Sequence, residues 1–270
     1  MDLIYDNYSE YCIEDSLYFL RMFSKYDSNC ASIIHQFTYE CEKSKNLLHI
    51  RQSLEIDKIM GDRNEIERIL QLLKWSKSYL KFSGKVLQSR RYDDCDFFEL
   101  TIKARNEGYS LNCRYISLLF TQILLAAGFK ARWVVCLPMA LEYRECHCVT
   151  EVFIEMCNKW IIVDASFNLV YFDKKGNLLN LLEMRNIIIK GEKFRVINTP
   201  NHFDELWDCW TSHIFRFKYL LNSGYNMHLS KNKIYAFLNP INYIIKDKTI
   251  KHTELDVTKL VNLYNNSFFY

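Results

Sequence analysis

The sequence predicts an α+β fold: a buried helix beginning at Cys113, packed on an antiparallel sheet that carries His147 and Asp164. Three observations lead there. Residues Cys113 to Ala127 are rich in helix formers and stop at Gly128, the residue type that commonly ends a helix. The period then changes to extended, with candidate strands at Lys130 to Leu137, Cys146 to Glu155 and Lys159 to Asp164. The last two are separated only by a short turn around Cys157-Asn158, so they pair as a hairpin.

Taken in order, residues 1–61 form an N-terminal helical extension, notably Ile13 to Phe23 behind a candidate cap at Ser9, with many aromatic residues and no catalytic pattern. Residues 62–191 form the core. It opens with the capping-box-like Asp62-Arg63-Asn64-Glu65, followed by Ile66, Ile69, Leu70 and Leu73 at helical spacing, which makes Trp75 a core residue before it is an active-site wall. A polar loop from Phe82 to Asp94 and a helix from Phe97 to Glu107, ended by Gly108, lead to the central helix. Beyond Asp164, Asp173 to Asn177 is a turn and Leu178 to Lys190 a helix closed by Gly191. Residues 192–270 form a helical C-terminal extension packed on the core, in which Phe203, Leu206, Trp207, Trp210, Ile214, Phe217 and Leu221 have the spacing of one amphipathic helix. The tail, Leu255 to Tyr270, either docks on the body or covers the cleft.

The chemistry gathers in the core. With Asn112 as N-cap, Cys113 sits in the first helical turn, where unpaired N–H groups and the positive end of the helix dipole favour thiolate over thiol. A turn centred near Met156 puts His147 one cross-strand diagonal from Asp164, so their side chains can meet. These are the parts of an activated nucleophile: a thiol, an imidazole to take its proton, and a carboxylate to fix the tautomer. Each has a blander reading alone, as a small buried cysteine, a satisfied core histidine and a strand-end cap.

The segments Gly108 to Tyr115, Ala127-Gly128-Phe129-Lys130-Ala131-Arg132, Cys146-His147-Cys148-Val149 and Lys159-Trp160-Ile161-Ile162-Val163-Asp164-Ala165-Ser166 resemble the transglutaminase-like superfamily, a branch of the papain-like folds. The resemblance runs over about residues 62–190. It implies catalytic Cys113, His147 and Asp164, and acyl transfer through a cysteine thioester: hydrolysis of an amide or peptide bond, with transamidation as a variant. The substrate is then a peptide, a protein or a small amide. Cys148-Val149 and Ala165-Ser166 depart from the aromatic residue and Pro-Thr that members commonly carry after the His and the Asp. Beside the Cys113 N–H, the upstream oxyanion donor is open among Asn106, Tyr109, Asn112 and Trp75. The rival reading is a non-catalytic module of the same fold that binds a peptide or a protein.

Composition excludes several classes. A formal charge of +3 without a long basic block does not suggest nucleic acid. The longest apolar run, Ile116 to Phe129, is interrupted by Thr121-Gln122 and too short to span a bilayer. Ten scattered cysteines behind an acidic start, Met1 to Asp6, fit a reducing cytoplasm better than a disulfide framework, and richness in Asn, Ile and Lys fits a bacterial source. No cofactor is implied. Cys146-His147-Cys148 invites a metal, but on a strand the two cysteines point away from the histidine, and no Cys-x-x-Cys pair supplies a zinc site, unlike in the peptide:N-glycanase branch. Oligomeric state is not legible.

Overall fold

The strands Ala131–Leu137 (β4) and His147–Ile154 (β5) are almost continuous runs of apolar and β-branched residues, the pattern of a strand covered on both faces. In the computed structural model both are buried along nearly their whole length. Described are residues 13–26, 37–82, 94–106, 110–139, 146–197 and 203–240, with the backbone of 254–257. The Ser9 cap, Tyr109, nearly all of the polar loop from Phe82 to Asp94, and the tail apart from the backbone of 255–257 lie outside them.

Beside β5 lie Lys159–Asp164 (β6), Leu169–Phe172 (β7) and Arg195–Val196 (β8); beside β4 lie Arg216–Leu220 (β9), Tyr235–Leu238 (β11) and Glu254–Val257 (β12). The sheet order is β12-β11-β9-β4-β5-β6-β7-β8, antiparallel at every pairing except β11 with β12. Thr38–Tyr39 (β1) pairs with Asn222–Ser223 (β10), and Lys81–Phe82 (β2) with Ser110–Leu111 (β3).

One sheet face is covered by Cys113–Ala126 (α6), buried from Tyr115 to Ala126. Packed around it are Lys45–Ser53 (α2), Ile56–Met60 (α3), Glu65–Tyr79 (α4) and Phe97–Asn106 (α5), through Leu47, Ile50, Ile56, Ile69, Leu72 and Phe97. Asn64 and Glu67 form the capping box at the start of α4. The opposite face is covered by Ile13–Met22 (α1), Leu181–Ile189 (α7) and Phe203–His213 (α8), through Leu20, Met184, Ile188, Leu206 and Trp210. Arg132 and Glu151, opposite each other on β4 and β5, form a fully buried pair at 2.7 Å, with the guanidinium 4.0 Å from the Trp160 ring centroid. Glu151 also accepts the first N–H of α7, so a single carboxylate ties strand register to helix placement.

Two expectations change. The stretch from Phe203 to Leu221 is not one helix: α8 stops at His213 and β9 takes over. Phe217 and Leu221 are four residues apart, a spacing that suits a helix face and a strand face equally, so the apolar count alone could not see the switch. The C-terminal segment is correspondingly less helical than expected, adding four strands, β8, β9, β11 and β12, to the core sheet. Helix α7 begins at Leu181 rather than Leu178, because Asn180 and Glu183 make a reciprocal capping box there, while Leu178 bridges to Phe172.

Candidate active site

Cys113 is the first residue of α6. The Asn112 side chain accepts the Tyr115 N–H at 3.2 Å, capping the helix, and the N–H of Cys113 is left without an intrahelical acceptor. The thiol is half-buried and donates to the Cys146 carbonyl at 3.6 Å.

His147, the first residue of β5, is 4% exposed, and its Nε2 lies 2.7 Å from Asp164 Oδ2. With Nε2 donating to the carboxylate, Nδ1 is the nitrogen left for the thiol. Phe167 lies against the imidazole at 5.3 Å between centroids, and Trp210 meets it edge-on at 5.6 Å. Asp164 ends β6 with no exposed surface. Its Oδ1 accepts the N–H groups of Ser166 and Phe167 at 3.1 and 3.2 Å; Oδ2 accepts His147 and the Tyr171 hydroxyl, the latter at 3.0 Å. Asp164 therefore caps the turn after β6 and holds the imidazole as well.

Register explains the meeting. Thr150 pairs with Val163, so continuing the ladder sets Val149 opposite Asp164, with His147 two residues further along the same face. On the other side Asp164 pairs with Leu169, and Tyr171 stands two residues along. Asp164 is thus flanked by a diagonal neighbour on each adjoining strand. The structure brings Cys113, His147 and Asp164 together where α6 meets the start of β5.

The electrostatics are those of a poised pair. The Cys113 thiol is held well below its ordinary pKa by a hydrogen bond with the Cys148 thiol, which outweighs burial, and then by a hydrogen bond with His147 and its charge. Burial alone would lower the His147 pKa; the Asp164 charge, with the hydrogen bonds to Asp164 and Cys113, lifts it well above the usual value. The Cys148 thiol is pushed well up by burial and by Cys113, so it stays protonated as a donor. This sets Cys148, a buried residue of β5, beside the thiol on the α6 side, opposite His147; the contact with Cys113 itself was not legible in the sequence. Tyr171 and Trp210 also escaped the sequence; reading Asp164 to Phe172 as a second hairpin would have exposed Tyr171.

Of the expected oxyanion donors, Asn106 is exposed at the end of α5, Trp75 stacks on Tyr79 at 4.7 Å, and Asn112 uses its carbonyl oxygen as the α6 cap. None of these contacts singles out an upstream donor. Among the described residues no group of three or more His, Cys, Asp or Glu is arranged to hold a metal ion, and no helix is long and apolar enough to cross a membrane.

Residues 53–165 match the family model described as the transglutaminase-like superfamily, a span that includes Cys113, His147 and Asp164. No curated protein matches the chain. Among solved structures, the chain is similar to a protein of Cytophaga hutchinsonii described as a "putative cysteine protease", with 20% sequence identity and a TM-score of 0.35 over 57% of this chain and 50% of that one. The chain thus covers half the length of that protein. With a helix bearing the cysteine, a sheet bearing the histidine and aspartate, and the family model spanning all three, the chain carries a transglutaminase-like superfamily domain in residues 53–165.

Proposed function

We propose that the protein is a thiol-dependent acyl-transfer enzyme that hydrolyses an amide or peptide bond through a thioester on Cys113. One observation carries the reading: the thiol at the N-terminus of α6 meets the carbonyl of Cys146 at 3.6 Å, one residue before His147, whose Nε2 is 2.7 Å from the buried Asp164 carboxylate. His147 takes the thiol proton on Nδ1, and the thiolate adds to the carbonyl carbon of a peptide, protein or small amide substrate. The Cys113 N–H faces the developing oxyanion. The tetrahedral adduct collapses as the imidazolium gives its proton to the departing amine, leaving an acyl thioester. Water, deprotonated by His147, then releases the acid and restores the thiol. An amine in place of water gives transamidation by the same steps.

Alkylation tests the reading without a known substrate. Iodoacetamide at neutral pH is expected to label Cys113 ahead of the other nine of the ten thiols, and His147→Ala to remove that preference in a protein that stays folded. Uniformly slow labelling of all the thiols would instead favour a non-catalytic binding module.

A further inference from the structure

We propose that Tyr171, on β7, is a positioning residue that sets the proton affinity of the His147 imidazole through Asp164. The inference rests on the reading of Cys113, His147 and Asp164 as a catalytic set. Four donors converge on the Asp164 carboxylate, and they divide cleanly. The two backbone N–H groups of Ser166 and Phe167 take Oδ1 and hold the carboxylate in place. The Tyr171 hydroxyl and the imidazole both donate to Oδ2, at 3.0 and 2.7 Å. Since Oδ1 already fixes the carboxylate, the tyrosine hydroxyl is not needed to anchor it. What the hydroxyl does is compete: it draws on the negative charge of the same oxygen that stabilises the imidazolium.

The hydroxyl is suited to that task. Tyr171 has no exposed surface, and burial together with the Asp164 charge pushes its pKa well above 10, so it remains a donor at every pH where the protein works. Trp210 of α8 holds it, packing edge-on against the Tyr171 ring at 5.2 Å and against His147 at 5.6 Å. The charged or titratable groups around His147 are Asp164 from β6, Cys113 from α6, Tyr171 from β7, Cys136 directly opposite on β4, whose thiol burial keeps protonated, and Cys209 and His213 from α8. His213 is itself held down to about 4 and so stays neutral at neutral pH, leaving Oδ2 as the acceptor through which the hydroxyl acts. Both Tyr171 and Trp210 lie beyond residue 165, outside the matched family segment.

The test uses the full chain with Tyr171→Phe, which keeps the ring and deletes only the oxygen. The readouts are the downfield proton resonance of the His147 Nε2–H, identified by its loss in His147→Gln, and the NMR titration of His147. With its competitor gone, the Nε2 proton is expected to move further downfield, and the His147 titration to shift upward by about half a pH unit or more. A purely structural tyrosine would move neither, and an unchanged resonance and titration in a folded variant overturns the proposal. Trp210→Phe, which leaves the hydroxyl in place, is expected to move His147 far less. An equal shift in both variants assigns the effect to packing and also overturns it. Neither readout requires turnover, so failure of Cys113 to alkylate selectively would count against the proposed enzyme and not against this coupling.

Discussion

Replacing Asp164 by Asn tests the poised pair more sharply than deleting it. The Oδ1 position faces two backbone N–H groups, so the Asn carbonyl must occupy it, turning the amide nitrogen towards His147 and Tyr171. His147 Nε2 then meets a donor and must accept; its proton moves to Nδ1, the nitrogen left for the thiol, and the ring can no longer act as a base. The charge lost is large. At a charge separation of about 4 Å and an effective dielectric of about 20, the carboxylate is worth about 4 kcal/mol to the imidazolium, about a thousandfold in population. The observable effect is capped below that. At pH 6 an ordinary thiol with a pKa of about 8.5 is thiolate in about 0.3% of molecules, so alkylation cannot fall by more than about 300-fold from a fully ionised Cys113. Because the Cys148 thiol remains as a donor to the anion, the expected result for Asp164→Asn is a fall of between about 10- and 300-fold in the rate of Cys113 alkylation by iodoacetamide at pH 6, measured by peptide mapping, with native circular dichroism. A change of less than about tenfold in a folded variant would refute the reasoning, because the carboxylate would then contribute far less to the ion pair than its contacts require.

Two further outcomes follow from the same contacts. Cys148→Ala removes the thiol that contributes most to lowering the Cys113 pKa, so the acid limb of the Cys113 alkylation profile is expected to move to higher pH, and an unmoved limb would show that the Cys148 thiol does not stabilise the anion. His213 is buried with Nδ1 2.7 Å from the Cys209 carbonyl, and burial lowers its pKa to about 4. The unfolded chain therefore takes up this proton first as pH falls, and stability present above about pH 6.5 is lost on going down to about 4. Wild type is expected to lose about 3 kcal/mol more over that window than His213→Asn, measured by urea unfolding; equal losses would mean that His213 does not titrate abnormally.

How far the sequence carried depends on whether the local signal had a single meaning. Helix α6 was legible because its start and stop are both marked, by the Asn112 cap and by Gly128 at a φ of 93°. The hairpin of β5 and β6 was legible because its turn is too short to admit another register, and that register alone brings His147 to Asp164. The switch from α8 to β9 was not, because a four-residue spacing satisfies both periods. The contact of Cys148 with the thiol was hidden for a different reason. Alternation correctly sends it to the face opposite His147, yet that is the face against which α6 lays Cys113, so pointing away from the histidine brings it to the thiol. Strand parity gives the face of a residue but not what the next layer sets against it.

That geometry also bears on how the site divides along the chain. The thiol and the imidazole stand at the start of β5, where α6 on one face and the imidazole on the other come within reach of each other around the strand end. The α6 side, which supplies the thiol and its Cys148 donor, lies wholly inside the matched segment of residues 53–165. The opposite side, which encloses the imidazole with Phe167, Tyr171 and Trp210, is built almost entirely from residues after it. Asp164, whose charge raises the proton affinity of His147, closes the matched stretch, and the aromatic residues that enclose the imidazole follow it. On the coupling proposed for Tyr171, substitutions among residues 166–213 are expected to alter the pH at which the pair forms while leaving the cysteine, the histidine and the aspartate in place.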